Sequence, residues 1–389
     1  MANETILFTL FMIFTGAAVL AASALYARQS LLVVYIFSGL VFGPSGLKLV
    51  TDPILIQEIS HTGIIFLLFL MGINLPADKL IHLVRKTTFV TTVSSLVFFL
   101  AGFLVATVFG FGMVEGLITG AAAMFSSTIV GLKLLPTTVL HHRHQGEIII
   151  SILLLQDILA IVVLTILQVG DLSGFPWQDL LLLFVALIAI SIFAYLFHRY
   201  VLVKIIAKFD RIQEFIFVVT IGWCLGIAQL AASFNLSYEI GAFIAGVVFA
   251  ANPIALFVSE MLKPLRDFFL VLFFFSLGAT FHIDVAQTVF IPATLLALLL
   301  LLVKPLTFKF LLERTSETPQ DSQEIGYRLG QVSEFSLLIA VLAVEMQVID
   351  LKAGYLIQVC TLLTFVVSSY LVVFKYPTPI AVSDKLRRD

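Results

Sequence analysis

The sequence predicts an all-α protein that crosses a membrane about thirteen times. Hydrophobic residues make up 60% of its 389 residues and charged residues only 12%, roughly half the charged share of a soluble domain. Apolar windows of about twenty residues recur along the whole chain, and short polar connections separate them. A net charge of −2 without a basic stripe gives no indication of nucleic-acid binding.

The apolar windows define the thirteen predicted spans. They lie at about 5–26, 31–50, 60–76, 87–110, 114–136, 146–169, 178–199, 213–233, 236–257, 265–281, 287–312, 325–347 and 353–374. Of the 22 Lys and Arg residues, Lys48 and Lys352 fall on one side, Lys304 lies inside a span, and the other 19 border the opposite side. The positive-inside rule makes the basic side cytoplasmic, so we expect the N-terminus outside and the C-terminus inside.

An internal repeat becomes visible when the sequence is shifted by 206 residues against itself. The matched pairs are Gly72 with Gly278, Gly120 with Gly326, and Ser127 with Ser333. Spans two to six, roughly 31–169, then overlay spans nine to thirteen, roughly 236–374. The partners are an odd number of spans apart, so the two repeats cross the membrane in opposite senses. Inverted repeats of this kind are typical of transporters, whose substrate site lies near the membrane midplane.

Two spans carry polar clusters in their interior. Span five contains Phe125-Ser-Ser-Thr-Ile-Val-Gly131, and span twelve contains Gly330-Gln-Val-Ser-Glu-Phe335. In a continuous helix these hydroxyls would bond back to carbonyls of the preceding turn. Because the clusters occupy equivalent positions of the repeat, we expect two discontinuous helices, whose released backbone groups face an ion.

Span six carries one carboxylate, Asp157, near the middle of the apolar run 148–167. One interpretation is a structural aspartate, protonated or hydrogen-bonded to a neighbouring helix. The other is an ion or proton site, which we favour. Burial disfavours the ionised form of a carboxylate, whereas an adjacent cation favours it, so the proton and the cation expel each other.

Gln156-Asp157, Ser126-Ser127-Thr128 and Gly330-Gln-Val-Ser-Glu-Phe335 together resemble the second family of monovalent cation:proton antiporters, and within it the Kef-type glutathione-gated potassium efflux systems. The resemblance covers nearly the whole chain. It implies the bacterial sodium/proton antiporter fold, with two crossed discontinuous helices in a moving core domain, and a homodimer built on a scaffold domain. It also implies that Asp157, Gln156, Ser126, Ser127 and Thr128 bind the ion or carry the proton.

The sequence departs from the family at three places, one of which is Glu239, an additional acid near the outer end of span nine. Where the family often has two glycines, Val332 and Ser333 precede Glu334-Phe335, which leaves the shape of the second interruption open. No nucleotide-binding domain of the Kef type follows span thirteen, so we expect 1–389 to be a single transmembrane domain, with regulation by a separate cytosolic domain or subunit as the alternative.

Four charged residues are candidate partners of the ion site. Lys304 resembles a basic residue that in relatives pairs with the core aspartate or another acid, and we expect such a structural pair. The alternatives are competition with the cation for Asp157 and snorkelling toward the interface. Glu334 and Arg328 are too far apart for one helix face but could meet across an interruption. Glu239 either lines the outer entrance or is solvated.

Other features indicate no resident metal or cofactor. His141-His-Arg-His144 lies in a cytoplasmic loop without cysteine or clustered carboxylates, so we interpret it as a solvated loop, with pH sensing as an alternative. Cys224 and Cys360 lie in apolar segments and suggest no disulfide. An enzyme would need an activated nucleophile, and Ser126 and Ser127 have no intramembrane histidine nearby.

The sequence therefore predicts an inner-membrane, lipid-embedded antiporter that exchanges a monovalent cation for protons by alternating access around Asp157. Sodium-handling relatives carry Asp or Asn where this chain has Gln156, so the resemblance favours potassium. A neutral amide there leaves one titrating charge in the pair, which suggests one-for-one exchange. The alternatives are a sodium/proton antiporter and a ligand-gated potassium efflux channel.

Overall fold

The computed structural model describes residues 6–378 except 27–28, 30, 51–52, 74–76, 134–143, 168–176, 210, 235, 237 and 253, and in parts of several helices it describes the backbone alone. The described residues form sixteen α-helices and one π-helical turn. The helices are α1 (Ile6–Tyr26), α2 (Leu31–Phe42), α3 (Pro53–Ile73), α4 (Ala77–Val108), α5 (Met113–Ala123), α6 (Thr128–Lys133), α7 (His144–Leu167), α8 (Trp177–Phe197), α9 (Val203–Lys208), α10 (Gln213–Ser233), α11 (Tyr238–Ala250), α12 (Ala255–Ala279), α13 (Ile283–Arg314), α14 (Pro319–Arg328), α15 (Glu334–Glu345) and α16 (Leu351–Lys375), and the π-helical turn His198–Leu202 joins α8 to α9.

Every predicted span corresponds to one helix or to one interrupted pair of helices. By length and composition alone, seven helices in the described part of the chain could each cross a membrane. Predicted spans five and twelve are the interrupted pairs α5–α6 and α14–α15. We call residues 124–127 the first break and residues 329–333 the second break. The second break forms although Val332 and Ser333 stand where the family often has glycine.

Several helix boundaries of the two halves match at a shift of 206 residues. Helix α4 begins at Ala77 and ends at Val108, and α13 begins at Ile283 and ends at Arg314, which is the same interval shifted by 206 residues. The same shift carries the first residues of α5 and α6 onto the first residues of α14 and α15. The sequences of the repeats differ at most positions, so the match shows that the two halves share helix lengths rather than side chains.

The chain folds into two compact units. The first unit comprises Met1–Ala17, Tyr35–Leu80 and Gln168–Thr280, and the second comprises Ala18–Val34, Ile81–Leu167 and Phe281–Asp389. In the first unit α3 packs along both α11 and α12, and α10 packs along α11. In the second unit α13 packs along α14 and α16, and α15 packs against α5 and α16.

Two glycines show how closely helices of the first unit approach each other. A Cβ atom on Gly72 of α3 would lie 2.6 Å from the carbonyl oxygen of Phe243, and one on Gly278 of α12 would lie 1.9 Å from that of Ile36. Real Cβ atoms do not come this close, so both positions require glycine in this packing. Since the two glycines are repeat partners, the pairing of α3 with α11 is repeated by that of α12 with α2.

Both discontinuous helices lie in the second unit. Its core is an apolar cluster that includes Phe98 of α4, Ile152 of α7, Phe308 of α13 and Leu329 of the second break. The rings of Phe98 and Phe308 meet edge to face with centroids 5.3 Å apart. The breaks therefore sit inside packed apolar side chains, where each unpaired backbone group would cost several kcal/mol in free energy.

Candidate functional site

Gln156 of α7 satisfies the backbone of the first break. Its Oε1 accepts a hydrogen bond from the Ser126 backbone N–H at 2.9 Å, and its Nε2 donates to the Met124 carbonyl oxygen at 3.2 Å. The side chain is fully buried. One amide supplies both an acceptor and a donor, which no carboxylate could do while ionised. Gln156 thus holds the polypeptide in its non-helical shape beside Asp157.

Asp157, the next residue on α7, is also buried, with a relative exposure of 1%. The Thr128 hydroxyl, on the first residue of α6, lies 3.3 Å from both of its carboxylate oxygens. These contacts are longer than the usual 2.7–2.8 Å of an O–H···O bond. A carboxylate can accept about four hydrogen bonds, so among the described residues this shared and distant hydroxyl satisfies only part of the hydrogen-bonding capacity of Asp157.

Two serines cap the half-helices that follow the breaks. The Ser127 hydroxyl accepts a hydrogen bond from the Val130 N–H at 3.1 Å, and the Ser333 hydroxyl accepts one from the Phe335 N–H at 3.1 Å. Ser127 and Ser333 are the repeat partners found in the sequence, and serine is a favoured N-cap residue. Here the polar clusters start new helices rather than bonding back within continuous ones.

Lys304 of α13 joins the two breaks. Its Nζ donates to the carbonyl oxygens of Phe125 at 2.5 Å and Gln331 at 3.1 Å, and it lies 3.4 Å from the Ser126 hydroxyl oxygen. Phe125 and Gln331 are themselves 206 residues apart, so the ammonium binds equivalent carbonyls of the two repeats. The ring centroid of Phe98, which is the repeat partner of Lys304, lies 5.0 Å from Nζ.

The expectation of a carboxylate partner for Lys304 differs from what the structure shows. The side chain is fully buried and contacts backbone carbonyls, so it does not snorkel toward the interface, and among the described residues no acid pairs with it. The physical reason is the helix dipole: α5 and α14 end at the breaks, and a helix C-terminus carries partial negative charge on its unpaired carbonyls.

Side chains that the sequence analysis did not single out occupy the second break. Gln331 donates from Nε2 to the Ser127 carbonyl oxygen at 3.2 Å, and its Oε1 accepts from the Ser368 hydroxyl at 3.0 Å. The Thr364 hydroxyl accepts from the Val332 N–H at 3.1 Å. Ser368 and Thr364 lie on α16, which occupies in the second repeat the place of α7 in the first. A search for polar residues on that helix would have found both.

Further hydrogen bonds tie the two interrupted helices to each other. The Ser126 hydroxyl donates to the Leu329 carbonyl oxygen at 2.9 Å. The Ser336 hydroxyl donates to the Ala122 carbonyl oxygen at 2.5 Å. Ser126 is therefore a bridge between the breaks, whereas Thr128 contacts the carboxylate.

The remaining candidates lie in different places. Glu334 is the first residue of α15, directly after the capping Ser333. Arg328, one residue before the second break, forms an ion pair with Glu324 at 2.7 Å and donates to the Pro377 carbonyl oxygen at 2.8 Å.

Burial, with a smaller contribution from nearby Glu324, raises the pKa of Tyr376, beyond the end of α16, to about 12.

Two predictions concern residues that the structure describes only in part. Glu239 lies in the first turn of α11, but its side chain is outside the described residues. Residues 141–143 of the histidine loop are also outside them, and His144 contacts Glu317 at 3.1 Å on the surface. Among the residues that are described, no group of three His, Cys, Asp or Glu side chains is arranged to hold a metal ion.

The arrangement separates charge in a way that suits reversible ion binding. Lys304 donates to carbonyl oxygens of both breaks, while in the described part of the chain the carboxylate of Asp157 is contacted by the Thr128 hydroxyl. The backbone of both breaks is held by buried side chains, so binding an ion at Asp157 does not require the breaks to form first. Such preorganised, broken-helix geometry at membrane depth is characteristic of ion-coupled transporters.

Comparison with known proteins agrees with this architecture. The solved structure of the sodium proton antiporter MjNhaP1 from Methanocaldococcus jannaschii at pH 8 superposes with a TM-score of 0.69 at 17% identity, covering 93% of this chain and 94% of that one. A likeness at this identity shows the fold, and it confirms the predicted fold class.

Sequence relatives span nearly the whole of this chain. The K(+) efflux antiporter 4 of Arabidopsis thaliana is 26% identical over 354 residues, which cover 89% of this chain and 60% of that protein. The iron transporter MagA of Paramagnetospirillum magneticum is 26% identical over 366 residues, covering 92% of this chain and 84% of that protein. The chain thus spans about three fifths of the first of these relatives and more of the second.

A family model settles the assignment. The family described as "Sodium/hydrogen exchanger, transmembrane" matches residues 8–374, which include both repeats, both breaks and Asp157. The match confirms the resemblance to monovalent cation:proton antiporters found in the sequence. The chain belongs to the sodium/hydrogen exchanger transmembrane family.

Proposed function

We propose that this chain exchanges a monovalent cation for protons across a membrane by alternating access, with Asp157 as the group that binds either species. The observation that carries the proposal is the Asp157 carboxylate, buried to 1% exposure and contacted by the Thr128 hydroxyl at 3.3 Å. A buried carboxylate with so few donors among the described residues is stabilised by a cation or by a proton, and the two compete for the same oxygens.

Potassium is the cation that we propose. The relative from Arabidopsis thaliana is named a K(+) efflux antiporter. The position before Asp157 carries Gln156, whose amide hydrogen-bonds to the backbone of Ser126 and Met124. That residue therefore shapes the break and adds no second negative charge beside Asp157. Sodium/proton exchange is the alternative, because size and rigidity of the cavity decide between the two ions.

The experiment is a dequenching assay in proteoliposomes that carry an acid-inside pH gradient. Potassium, sodium, rubidium and lithium are added in turn, and ferrous iron is included because one relative is named an iron transporter. We expect potassium to dissipate the gradient at the lowest concentration. If sodium alone dissipates the gradient, the transported cation is sodium rather than potassium, and the proposed exchange mechanism is retained.

A ligand-gated potassium channel is separated from an antiporter by coupling. An antiporter moves protons uphill when a cation gradient is the only driving force, whereas a channel lets potassium pass without moving protons. Potassium flux without proton movement in vesicles whose membrane potential is clamped would contradict the proposed exchange.

The proposal includes the assembly and the orientation of the protein. We propose a homodimer in the inner membrane, in contact with lipid, with its N-terminus outside and its C-terminus cytoplasmic, and regulation by a cytosolic domain or subunit. The bias of Lys and Arg toward one side supports the orientation. Native mass spectrometry in detergent tests the dimer, and labelling of single cysteines placed near Lys48 and Lys375 from each side tests the orientation.

A further inference from the structure

The polypeptide that follows α16 is attached to the end of α14. We call residues 376–378 the exit segment. Arg328, the last residue of α14, donates from Nη2 to the Pro377 carbonyl oxygen at 2.8 Å, and from Nε and Nη2 to Glu324 Oε1 at 2.9 and 2.7 Å. The side chain of Arg328 is almost completely buried, and so is Thr378. The exit segment is therefore bound to the residue that directly precedes the second break.

Aromatic rings strengthen this attachment. The centroid of the Tyr376 ring lies 5.8 Å from the guanidinium carbon of Arg328 and 5.8 Å from the centroid of the Tyr327 ring. The Nζ atom of Lys375 lies 4.1 Å from the Tyr327 centroid. Aromatic faces attract cations at such distances. Both the charge of Arg328 and the rings beside it thus hold the exit segment against α14.

A continuous series of contacts leads from Arg328 to Asp157. The next residue, Leu329, accepts a hydrogen bond from the Ser126 hydroxyl at 2.9 Å through its carbonyl oxygen. The backbone N–H of Ser126 donates to Gln156 Oε1 at 2.9 Å, and Asp157 follows Gln156 on α7. Leu329, Ser126, Gln156 and Asp157 are all buried. Two hydrogen bonds and two pairs of adjacent residues therefore connect the exit segment's anchor with the carboxylate.

We propose that Arg328 is a positioning residue that makes cation binding at Asp157 depend on the position of the exit segment. While the exit segment is attached, Arg328 fixes the end of α14, so that the Leu329 carbonyl oxygen faces the Ser126 hydroxyl and the first break keeps its shape. When the exit segment is displaced, the guanidinium loses the Pro377 carbonyl, the end of α14 shifts, and the cation binds more weakly. This inference rests on the proposed exchange at Asp157.

The coupling acts in both directions. If the position of the exit segment changes the affinity of Asp157 for a cation, a bound cation must hold the exit segment more firmly by the same factor. Networks of packed and hydrogen-bonded groups with two arrangements carry such coupling, and measured coupling between their members is the evidence for it.

The competing explanation is an ion pair that only stabilises α14. Replacing Arg328 would then lower the melting temperature and speed hydrogen exchange within α14. It would leave the cation KM and the backbone of the first break unchanged. The KM and the protection of the Ser126 amide are therefore the quantities that distinguish the two roles.

The first experiment measures potassium-dependent proton movement in proteoliposomes for Arg328→Lys, which keeps the charge and loses the planar fork of donors. We expect the KM for potassium to rise about fivefold, with the maximal rate within about twofold of the wild-type value. In a Ser126→Ala background, which lacks the bond to Leu329, Arg328→Lys should raise the KM less than about twofold further. Tyr376→Leu, which changes the exit segment itself, should act in the same direction as Arg328→Lys.

The second experiment follows hydrogen–deuterium exchange and does not depend on transport. The Ser126 amide should be labelled faster in Arg328→Lys than in the wild-type protein, and potassium should slow the labelling of the exit segment in the wild-type protein. The matched control is Arg314→Lys at the exposed end of α13, which should change neither the KM nor the labelling.

An unchanged KM in Arg328→Lys, an equal increase with and without Ser126→Ala, or unchanged labelling of the Ser126 amide would each overturn the inference. If Arg328→Lys does not fold, Tyr376→Leu decides in the same comparisons. A wild-type protein that moves no protons in response to any cation would contradict the proposed function, and the labelling of Ser126 would then still decide whether Arg328 positions the first break.

Discussion

The two breaks have the same backbone plan and different chemistry. In each, a side chain of the helix that follows accepts a hydrogen bond from an equivalent N–H group: Gln156 from Ser126 in the first break, and Thr364 from Val332 in the second. In the first break this residue is followed by Asp157, whereas the equivalent position of α16 is Leu363. The two repeats thus share the backbone arrangement of the break, but the equivalent of the buried carboxylate beside the first break is an apolar residue beside the second.

The difference between the breaks predicts a different role for each of them. The second break is fastened by Gln331, Thr364, Ser368 and Lys304, and all of these bonds are internal to the protein. Beside the first break, the oxygens of Asp157 are contacted by the Thr128 hydroxyl and by no other donor among the residues that the structure describes. We therefore expect changes in the first break to alter ion binding, and changes in the second to alter stability.

The largest effect should come from Asp157→Asn, which keeps the shape and removes the charge. The variant should fold and reach the membrane yet lose cation-dependent proton movement and cation-induced thermal stabilisation together. In the wild-type protein exchange should slow as the pH falls, because protons then occupy the carboxylate. Asp284→Asn at the exposed start of α13 is the matched control. Near-normal exchange in Asp157→Asn would show that another acid carries the ion.

Lys304→Gln tests the hydrogen bonds by which Lys304 connects the two breaks. It replaces an ammonium that bonds two carbonyls, and hydrogen bonds to charged groups contribute roughly 1.5–3 kcal/mol each. We expect a lower melting temperature in detergent, with exchange still measurable. Lys309→Gln on an exposed turn of the same helix should have almost no effect, because its ion pair with Glu313 is solvated. A folded Lys304→Gln protein without any exchange would give Lys304 a direct part in transport.

A matched pair of variants compares the breaks directly. Gln156→Ala and Thr364→Val each leave a buried N–H group without its acceptor, at a cost of about 1–3 kcal/mol in stability. Both should melt at lower temperature, but only Gln156→Ala should also raise the cation KM, since it frees the backbone beside Asp157. Equal KM values in the two variants would remove the functional distinction between the breaks.

The smallest effects should come from the two caps. Ser127→Ala and Ser333→Ala each remove one N-cap hydrogen bond, worth about 1 kcal/mol. Ser127→Ala should in addition weaken cation binding, because α6 positions the Thr128 hydroxyl. Thermal melts and cation titrations of both variants, beside Ser45→Ala in a connecting segment, measure the difference. A KM shift in Ser333→Ala as large as in Ser127→Ala would mean that the two breaks bind the ion jointly.

The positions of the helices could be predicted from the sequence because long apolar runs and matching polar clusters are visible in it without knowledge of tertiary contacts. The interruption near Ser127 and its partner near Ser333 was found in this way. Some helix ends were missed: α8 continues through its π-helical turn into α9 as far as Lys208, beyond the apolar window that ends near 199. Polar residues such as Lys204 lower the mean hydropathy of the window, so the window ends before the helix does.

Partners of buried polar side chains could not be read from the sequence. The expectation for Lys304 considered the acids and not the carbonyls, because a sequence does not show which backbone groups are left unpaired. Gln156 was predicted to bind the ion, and the structure shows that its amide bonds backbone groups. Arg328 could have met Glu334 across the break, but its ion pair is with Glu324 on its own helix. Which partner a buried polar side chain contacts depends on how its helix is rotated about its own axis. The hydropathy of an almost uniformly apolar segment gives little information about that rotation.

The cross-links between the breaks have a mechanical consequence. The two discontinuous helices and α13 are connected by hydrogen bonds that side chains donate to backbone carbonyl oxygens; the donors are Lys304, Ser126, Gln331 and Ser336. One half-helix cannot slide past the other without breaking several of these bonds at once. We therefore expect the crossed helices to travel as a single stiff body during transport. Amide hydrogens of Val130 and Val332 should then stay protected from deuterium exchange while the protein turns over, and their rapid labelling under those conditions would show that the crossing loosens.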